Sequence, residues 1–301
     1  MLSLARHLYE YQAIKELSEE KHYPVDRLCI YLHIARSAYY RWLKKSISSS
    51  ELKNQSITEK IISIHKQHPD MGYRRINDEL AGPHNICVND KRVLRLCRKK
   101  HIQSTIKWKP KSCTRNASDP MYTAKNYLNR NFHADAPNQK WLTDVSEFKY
   151  YEGPEVHKVY LSAILDLCDR RIVSFVISNH NDNPLVMKTF DKAVAAEPDA
   201  HPLFHSDRGF QYTSSQFHVR LKKYHMKQSM SRVGHCIDNG PIEGSWGMLK
   251  REMYYGKRFT DLETLVNSIG EYIHYYNTER IQRKLKRMSP LEYHEYLKEA
   301  T

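Results

Sequence analysis

At 301 residues the chain is long enough for two or three domains, and 40% hydrophobic residues suffice for packed cores, which excludes wholesale disorder. No run of about 18 apolar residues occurs, which excludes an ordinary helical membrane span. The net charge of +14 is uneven: residues 1–118 hold 23 Lys and Arg against 11 Asp and Glu, whereas residues 119–301 hold 25 against 23.

A basic first third favours nucleic acid as partner, because each phosphate neutralised releases condensed counterions. The opening Met-Leu-Ser-Leu-Ala-Arg-His-Leu is too short and mixed for a signal peptide, so a cytoplasmic, nucleoid-associated protein is expected. Cysteines 29, 87, 97, 113, 168 and 236 lie far apart and read as reduced thiols.

Residues 1–46 read as a helix-turn-helix-like unit: Leu8–Glu20, Pro24–Leu32 with Pro24 in the first turn, and Ala35–Lys44. The last of these carries Tyr39, Tyr40, Arg41 and Trp42, the make-up of a helix that could lie in a major groove. The same aromatics would equally serve as the core of a small bundle. Ser46–Ser50 reads as a link.

Residues 47–103 form a second basic helical unit. It contains Gly-Tyr-Arg-Arg-Ile (72–76), with Arg74 and Arg75 as candidate DNA contacts, and a helix capped by Asn89. Between Lys91 and Arg115 there are ten Lys or Arg and no acid, a one-sided run that favours phosphate contact. His84, Cys87, Cys97 and His101 would suit zinc chemically. Cys97, however, falls on its helix's apolar stripe and no C-x₂-C knuckle exists, which favours two core cysteines and two surface histidines. Residues 104–137, with three prolines and no periodicity, read as a linker or arm.

From 138 to 301 the pattern is a mixed α/β domain. Strands at Trp141–Tyr150, Val156–Leu167 and Ile172–Ile177 make a meander. Helix Asn183–Ala196, strand Leu203–His205, helix Ser214–His225, strand Gln228–Ser231 and helices Pro241–Met253 and Leu262–Asn277 follow.

Three acids stand out. Asp144 lies inside an apolar strand, Asp207 ends a short apolar run, and Glu243 opens a helix. Singly, each has a plain structural reading: a hydrogen-bonded strand Asp, a turn, and a third helical residue after an N-cap at Gly240. Gathered together, they would repel one another unless a cation held them ionised, and hard oxygen ligands suit Mg²⁺ or Mn²⁺. Two ions about 3.5–4 Å apart could then serve phosphodiester chemistry. Asp166 is the rival for Asp144; Asp238, read as a helix cap, and Glu252 are rivals for Glu243.

Trp-Leu-Thr-Asp-Val (141–145), His-Ser-Asp-Arg-Gly-Phe-Gln-Tyr (205–212) and Asp-Asn-Gly-Pro-Ile-Glu (238–243) with Lys-Arg-Glu (250–252) resemble the catalytic blocks of bacterial insertion-sequence transposases. The chain is most similar to the second-reading-frame products of such elements. Asp207 and Glu243 have 35 residues between them, the interval of that family's Asp-Asp-Glu triad, and Asp144 and Asp207 have 62. Gly240 stands where the family usually has Ala, and Ser245-Trp246 where it usually has Phe-Phe.

The resemblance implies a ribonuclease-H-like mixed sheet with flanking helices, preceded by small all-α, helix-turn-helix-like domains. It also implies metal-dependent cleavage of element ends and joining to target DNA, with Asp144, Asp207 and Glu243 holding Mg²⁺ or Mn²⁺, two ions in all. Expected partners are double-stranded DNA, further copies of the chain on that DNA, and a first-frame protein or fusion. Lys250, seven residues after Glu243, is expected on the same helix face, with Arg251, Lys257 and Arg280 as further DNA contacts. A DNA-bound regulator with vestigial acids and a nuclease that does not join are the competing readings.

Overall fold

The computed structural model describes residues 7–44, 48–106 and 122–299. It has two compact units, residues 1–60 and 61–301.

The first unit opens with helices α1 (Leu8–Lys21), α2 (Val25–Tyr31) and α3 (Arg36–Leu43). Pro24 is the N-cap of α2 and so lies just outside the first turn expected for it. Tyr11, Ile14, Cys29, Ile34 and Tyr39 form the core, with Trp42 packed against it. Tyr39 is thus a core aromatic, while Arg41 faces solvent. The Ser-rich stretch is more than a link. Ser48 and Glu51 form a reciprocal capping box, Glu51 N donating to Ser48 Oγ and Ser48 N to Glu51 Oε2, and this starts α4 (Ser49–Gln67).

In the second unit come α5 (Tyr73–Ala81) and α6 (Asp90–Lys99), the latter capped as expected by Asn89, which accepts from Lys91 N. Cys97 is buried on α6 and Cys87 exposed. Cys29, Cys87, Cys97 and Cys168 are free thiols; Cys113 and the side chain of Cys236 lie outside the described residues. Residues 107–121, the middle of the expected linker, also lie outside them. Residues 122–135 are packed rather than free: Ala124, Leu128 and Ala134 are buried, and Tyr127 N and Leu128 N both donate to Ser229 Oγ.

A five-stranded sheet follows, ordered β3-β2-β1-β4-β5. Its strands are β1 (Lys140–Glu152), β2 (Glu155–Asp166), β3 (Ile172–Ser178), β4 (Leu203–Ser206) and β5 (Lys227–Met230). The first three are antiparallel neighbours, joined at β1–β2 by a turn with Gly153 at φ 60°, a conformation glycine adopts without strain. The strand β4 lies parallel to β1, and β5 parallel to β4, with α7 (Asn183–Ala196) and α8 (Ser215–Lys223) as connections.

Alternation along β1 divides the core between the two faces. Trp141 packs with Phe190, Phe204 and Phe217 on the α7–α8 side. Leu142 packs on the other side with Ile242, Trp246 and Leu249 of α9 (Gly240–Leu249) and Ile269 and Tyr276 of α10 (Leu262–Thr278). Between α9 and α10 the chain makes a π-helical turn, Lys250–Tyr254. The sequence reading ended regular structure at Asn277; the structure adds α11 (Pro290–Glu299), anchored where His294 Nδ1 meets the buried Asp169 carboxylate at 2.7 Å. Among the described residues no helix is long and apolar enough to cross a membrane.

Candidate active site

The parallel pairing of Leu142 with His205, continued two residues along both chains, sets Asp144 beside Asp207. Asp144 shares its sheet face with Leu142, hence with α9, whose first turn carries Glu243. The three acids come from three elements and converge on one edge of that face. Each is partly exposed, so a ligand can reach it.

The lead-in to α9 differs from the expected cap. Asn239 is the N-cap, so Gly240 is the first helical residue and Glu243 lies one place deeper than a capping-box position. Asn239 Nδ2 donates to Thr143 O at 3.2 Å, fixing the start of α9 to β1. A Cβ on Gly240 would meet open space, so this glycine answers to no close contact.

Asp238 is no cap either: its fully buried carboxylate accepts two hydrogen bonds from the Arg232 guanidinium and one from the Arg232 backbone N–H, one from Arg130 at 2.7 Å, and one from Asn126. The Arg232 hydrogen bonds, reinforced by Arg130, hold its carboxyl far below the usual range.

The electrostatics tie the three acids together. Desolvation first, then the charge of Asp207, pushes Asp144 up to about 8, with Glu243 adding to the rise. Asp207 is raised by desolvation, opposed by Gly209 N, which donates to its Oδ1 at 2.8 Å. Glu243 is raised by desolvation and then by Asp207. Among the described residues none of the three is in an ion pair. Nor, among those residues, are three or more Asp, Glu, His or Cys side chains drawn close enough to coordinate a metal as placed. The acids feel one another's charge without forming a closed cage. A set of three carboxylates with no ion pair among the described residues is the donor chemistry that a hard divalent cation satisfies.

The rival acids are structural. Asp166 is fully buried and accepts from the backbone N–H of Asn138 and Cys168 and from the Trp141 indole. Burial and then Asp169 raise it to about 6. Glu252, in the π-turn, accepts from Arg280 at 2.8 and 3.0 Å, from Arg75 at 2.7 Å and from Tyr272. Burial opposes its charge, but the Arg280 hydrogen bonds prevail and its pKa is lowered.

The candidate DNA contacts separate accordingly. Arg75 and Arg280 are engaged with Glu252 inside the protein. Lys250 Nζ lies 4.9 Å from the centre of the Phe148 ring, its pKa lowered by burial and sustained by Glu147 and Asp144, so it stands on the acid side of the site. Arg41, Arg74 and Lys257 are exposed, and Arg251 folds back against Gly247.

Sequence reasoning missed four supporting residues. Trp246 Nε1 donates to Asp144 Oδ2 at 3.0 Å. Tyr212, buried with Trp141 and Phe217 and near enough to feel the charges of Asp144 and Asp207, meets Thr143 Oγ1 through its hydroxyl. His205, buried and held neutral by desolvation with a pKa of about 4, bridges the hydroxyls of Ser229 and Ser231. Asn239 fixes the helix start. Three of them sit inside motif blocks, which was the available signal.

Residues 134–236 match the integrase core domain family, residues 243–296 match a second family of the same description, and residues 51–110 match an HTH-like domain. The putative transposase InsK of insertion sequence element IS150 from Escherichia coli (strain K12) is 36% identical over 283 residues, which is 93% of this chain and 97% of that one. This chain belongs to the insertion-sequence transposases.

The transposase is also 32% identical to the insertion element IS600 uncharacterized 31 kDa protein of Shigella sonnei, over 89% of this chain and 97% of that one. Among solved structures it is similar to the HTLV-2 integrase catalytic core domain in complex with magnesium. That likeness is 19% identical, with a TM-score of 0.42, over 54% of this chain and 99% of that one. The transposase is therefore a polynucleotidyl transferase of DNA transposition, with an integrase-like core and an HTH-like domain ahead of it.

Proposed function

We propose that the transposase cuts the ends of its element and joins them to target DNA at a site built from Asp144, Asp207 and Glu243, and that these three carboxylates hold Mg²⁺ or Mn²⁺. The observation that carries this reading is the convergence of three acids from β1, the end of β4 and the start of α9, close enough that the charge of Asp207 raises both Asp144 and Glu243, with none of the three in an ion pair among the described residues. When bound, a pair of divalent ions would supply an activated nucleophile on one side of the phosphodiester and stabilisation of the leaving oxygen on the other.

The chain's own residues do the rest. Gly209 N orients Asp207, Asn239 fixes the helix that carries Glu243, and Tyr212 packs against Thr143 on the other face of β1. Closing the three acids into a cage needs side-chain rotation, or a small advance of the α9 first turn, where Gly240 meets open space. Lys250, on the acid side of the site, would contact a phosphate flanking the scissile bond, and Arg251, Lys257, Arg74 and Arg41 would be further contacts with duplex DNA. Assembly on paired element ends would use more than one copy, and a first-frame protein or fusion would add further DNA-binding surface.

The test is joining of a labelled element-end duplex to a target with Mg²⁺ present. Asp144→Asn, Asp207→Asn and Glu243→Gln are each expected to abolish joining while DNA affinity persists. Full joining by any one of them removes that acid from the site. Binding without cleavage by the unaltered chain would make it a regulator, and nicking without joined product a simple nuclease.

A further inference from the structure

We propose that Trp246 is a positioning residue for Asp144: its indole N–H orients the carboxylate toward a divalent cation and links it to the helix that carries Glu243. The inference rests on the reading of the three acids given above. Trp246 lies three residues after Glu243 in α9, on the same helix face. Its ring is 6% exposed and packs in the cluster under β1 with Leu142, Ile242 and Leu249, while its one polar atom reaches Asp144 Oδ2 at 3.0 Å. The apolar body is held by the core and the polar edge is presented to the site.

The kind of donor is informative. Two other carboxylates near the site are matched by cations, Asp238 by Arg232 and Arg130, Glu252 by Arg75 and Arg280. Asp144 instead receives a neutral N–H, the one side-chain donor it has among the described residues. A guanidinium there would neutralise the carboxylate and compete with a metal. An indole orients it and leaves its charge for a cation, and an oxygen that accepts one N–H keeps a second lone pair.

Trp141 gives the contrast within the same chain. Its indole also binds an Asp, and both aspartates accept backbone N–H bonds besides, Asp144 from Val145 and Asp166 from Asn138 and Cys168; but Asp166 is fully buried, out of a ligand's reach. Donors that orient metal ligands from behind are worth about 10–100-fold in metal affinity.

The experiment measures Mn²⁺ binding to the DNA-free, full-length protein by the paramagnetic resonance of the free ion. Trp246→Phe keeps an aromatic ring and deletes the N–H. A second variant carries benzothienylalanine at 246, which puts sulfur in place of the N–H in nearly the same shape and guards against packing loss in the first. Both are expected to weaken Mn²⁺ binding about 10–100-fold and to raise the Mg²⁺ concentration for half-maximal joining in step. Trp246→His, with a ring N–H, is expected to recover part of the loss. Unchanged Mn²⁺ affinity in the benzothienylalanine protein overturns the proposal. If the unaltered chain shows no Mn²⁺ binding that Asp144→Asn removes, the reading of the three acids falls, and this role with it.

Discussion

Asp144 carries a cost that its neighbours make visible. In the folded, metal-free chain it titrates near 8, against roughly 4 for an ordinary Asp. Between those values the folded state keeps a proton that the unfolded state has released. Stability in EDTA is therefore expected to fall as pH rises from about 4 through about 8. Asp144→Asn should flatten that slope, and Mg²⁺ should oppose it by favouring the ionised form. Urea unfolding at about pH 5 and pH 8.5, with and without Mg²⁺, measures this, and a metal-free stability that rises over the interval would contradict the assignment. At this scale the sequence was legible where chemistry is written in residue type: three acids at characteristic intervals. It was silent on Trp246, because an indole in an apolar helix reads as core, and its N–H finds its use only once β1 and α9 are packed together.

The elements were legible wherever hydrophobic period and caps agreed, as in β1 to β3, α7 and the Asn89 start of α6. They were misread where a side chain serves a partner far along the chain. Asp238 looks like a cap and instead ties residues 126–130 to the loop before α9. Arg75 and Arg280 look like free cations in a basic protein and instead meet at Glu252, because the π-turn Lys250–Tyr254 brings that carboxylate among α5 and α10. Removing it would leave the buried Arg280 guanidinium without its carboxylate and Arg75 with Asp70 as its acid partner. Glu252→Ala is expected to destabilise the second unit by about 3–5 kcal/mol, read as a lower urea midpoint. A loss under about 1 kcal/mol would show the cluster to be well solvated. Because the pKa of Glu252 is lowered in the fold, its contribution is present above the ordinary carboxylate range and is lost as pH drops through the folded value.

For the whole molecule, the count of 48 Lys and Arg overstates the cations that DNA can touch, since Arg75, Arg280 and Arg283 pair with acids of the chain itself. Affinity should still fall steeply with salt, and Lys250→Gln is expected to lower the slope of log K against log salt by about one while weakening all duplexes alike. An unchanged slope would place Lys250 off the phosphate track. The composition pointed to the class of partner, but charge counting cannot tell an arginine facing solvent from one facing a glutamate. One feature joins these scales. Glu252 lies nine residues beyond Glu243 and grips α5 through Arg75, while Arg283 grips α5 and α6 through Asp78 and Asp90. The bundle of α5 and α6 is thus held to the sheet domain like the locked jaw of a caliper. On the proposed reading, a duplex resting on those helices would meet the three acids at one fixed offset, so lengthening it by half a helical turn between grip and cut would present the wrong side of the double helix.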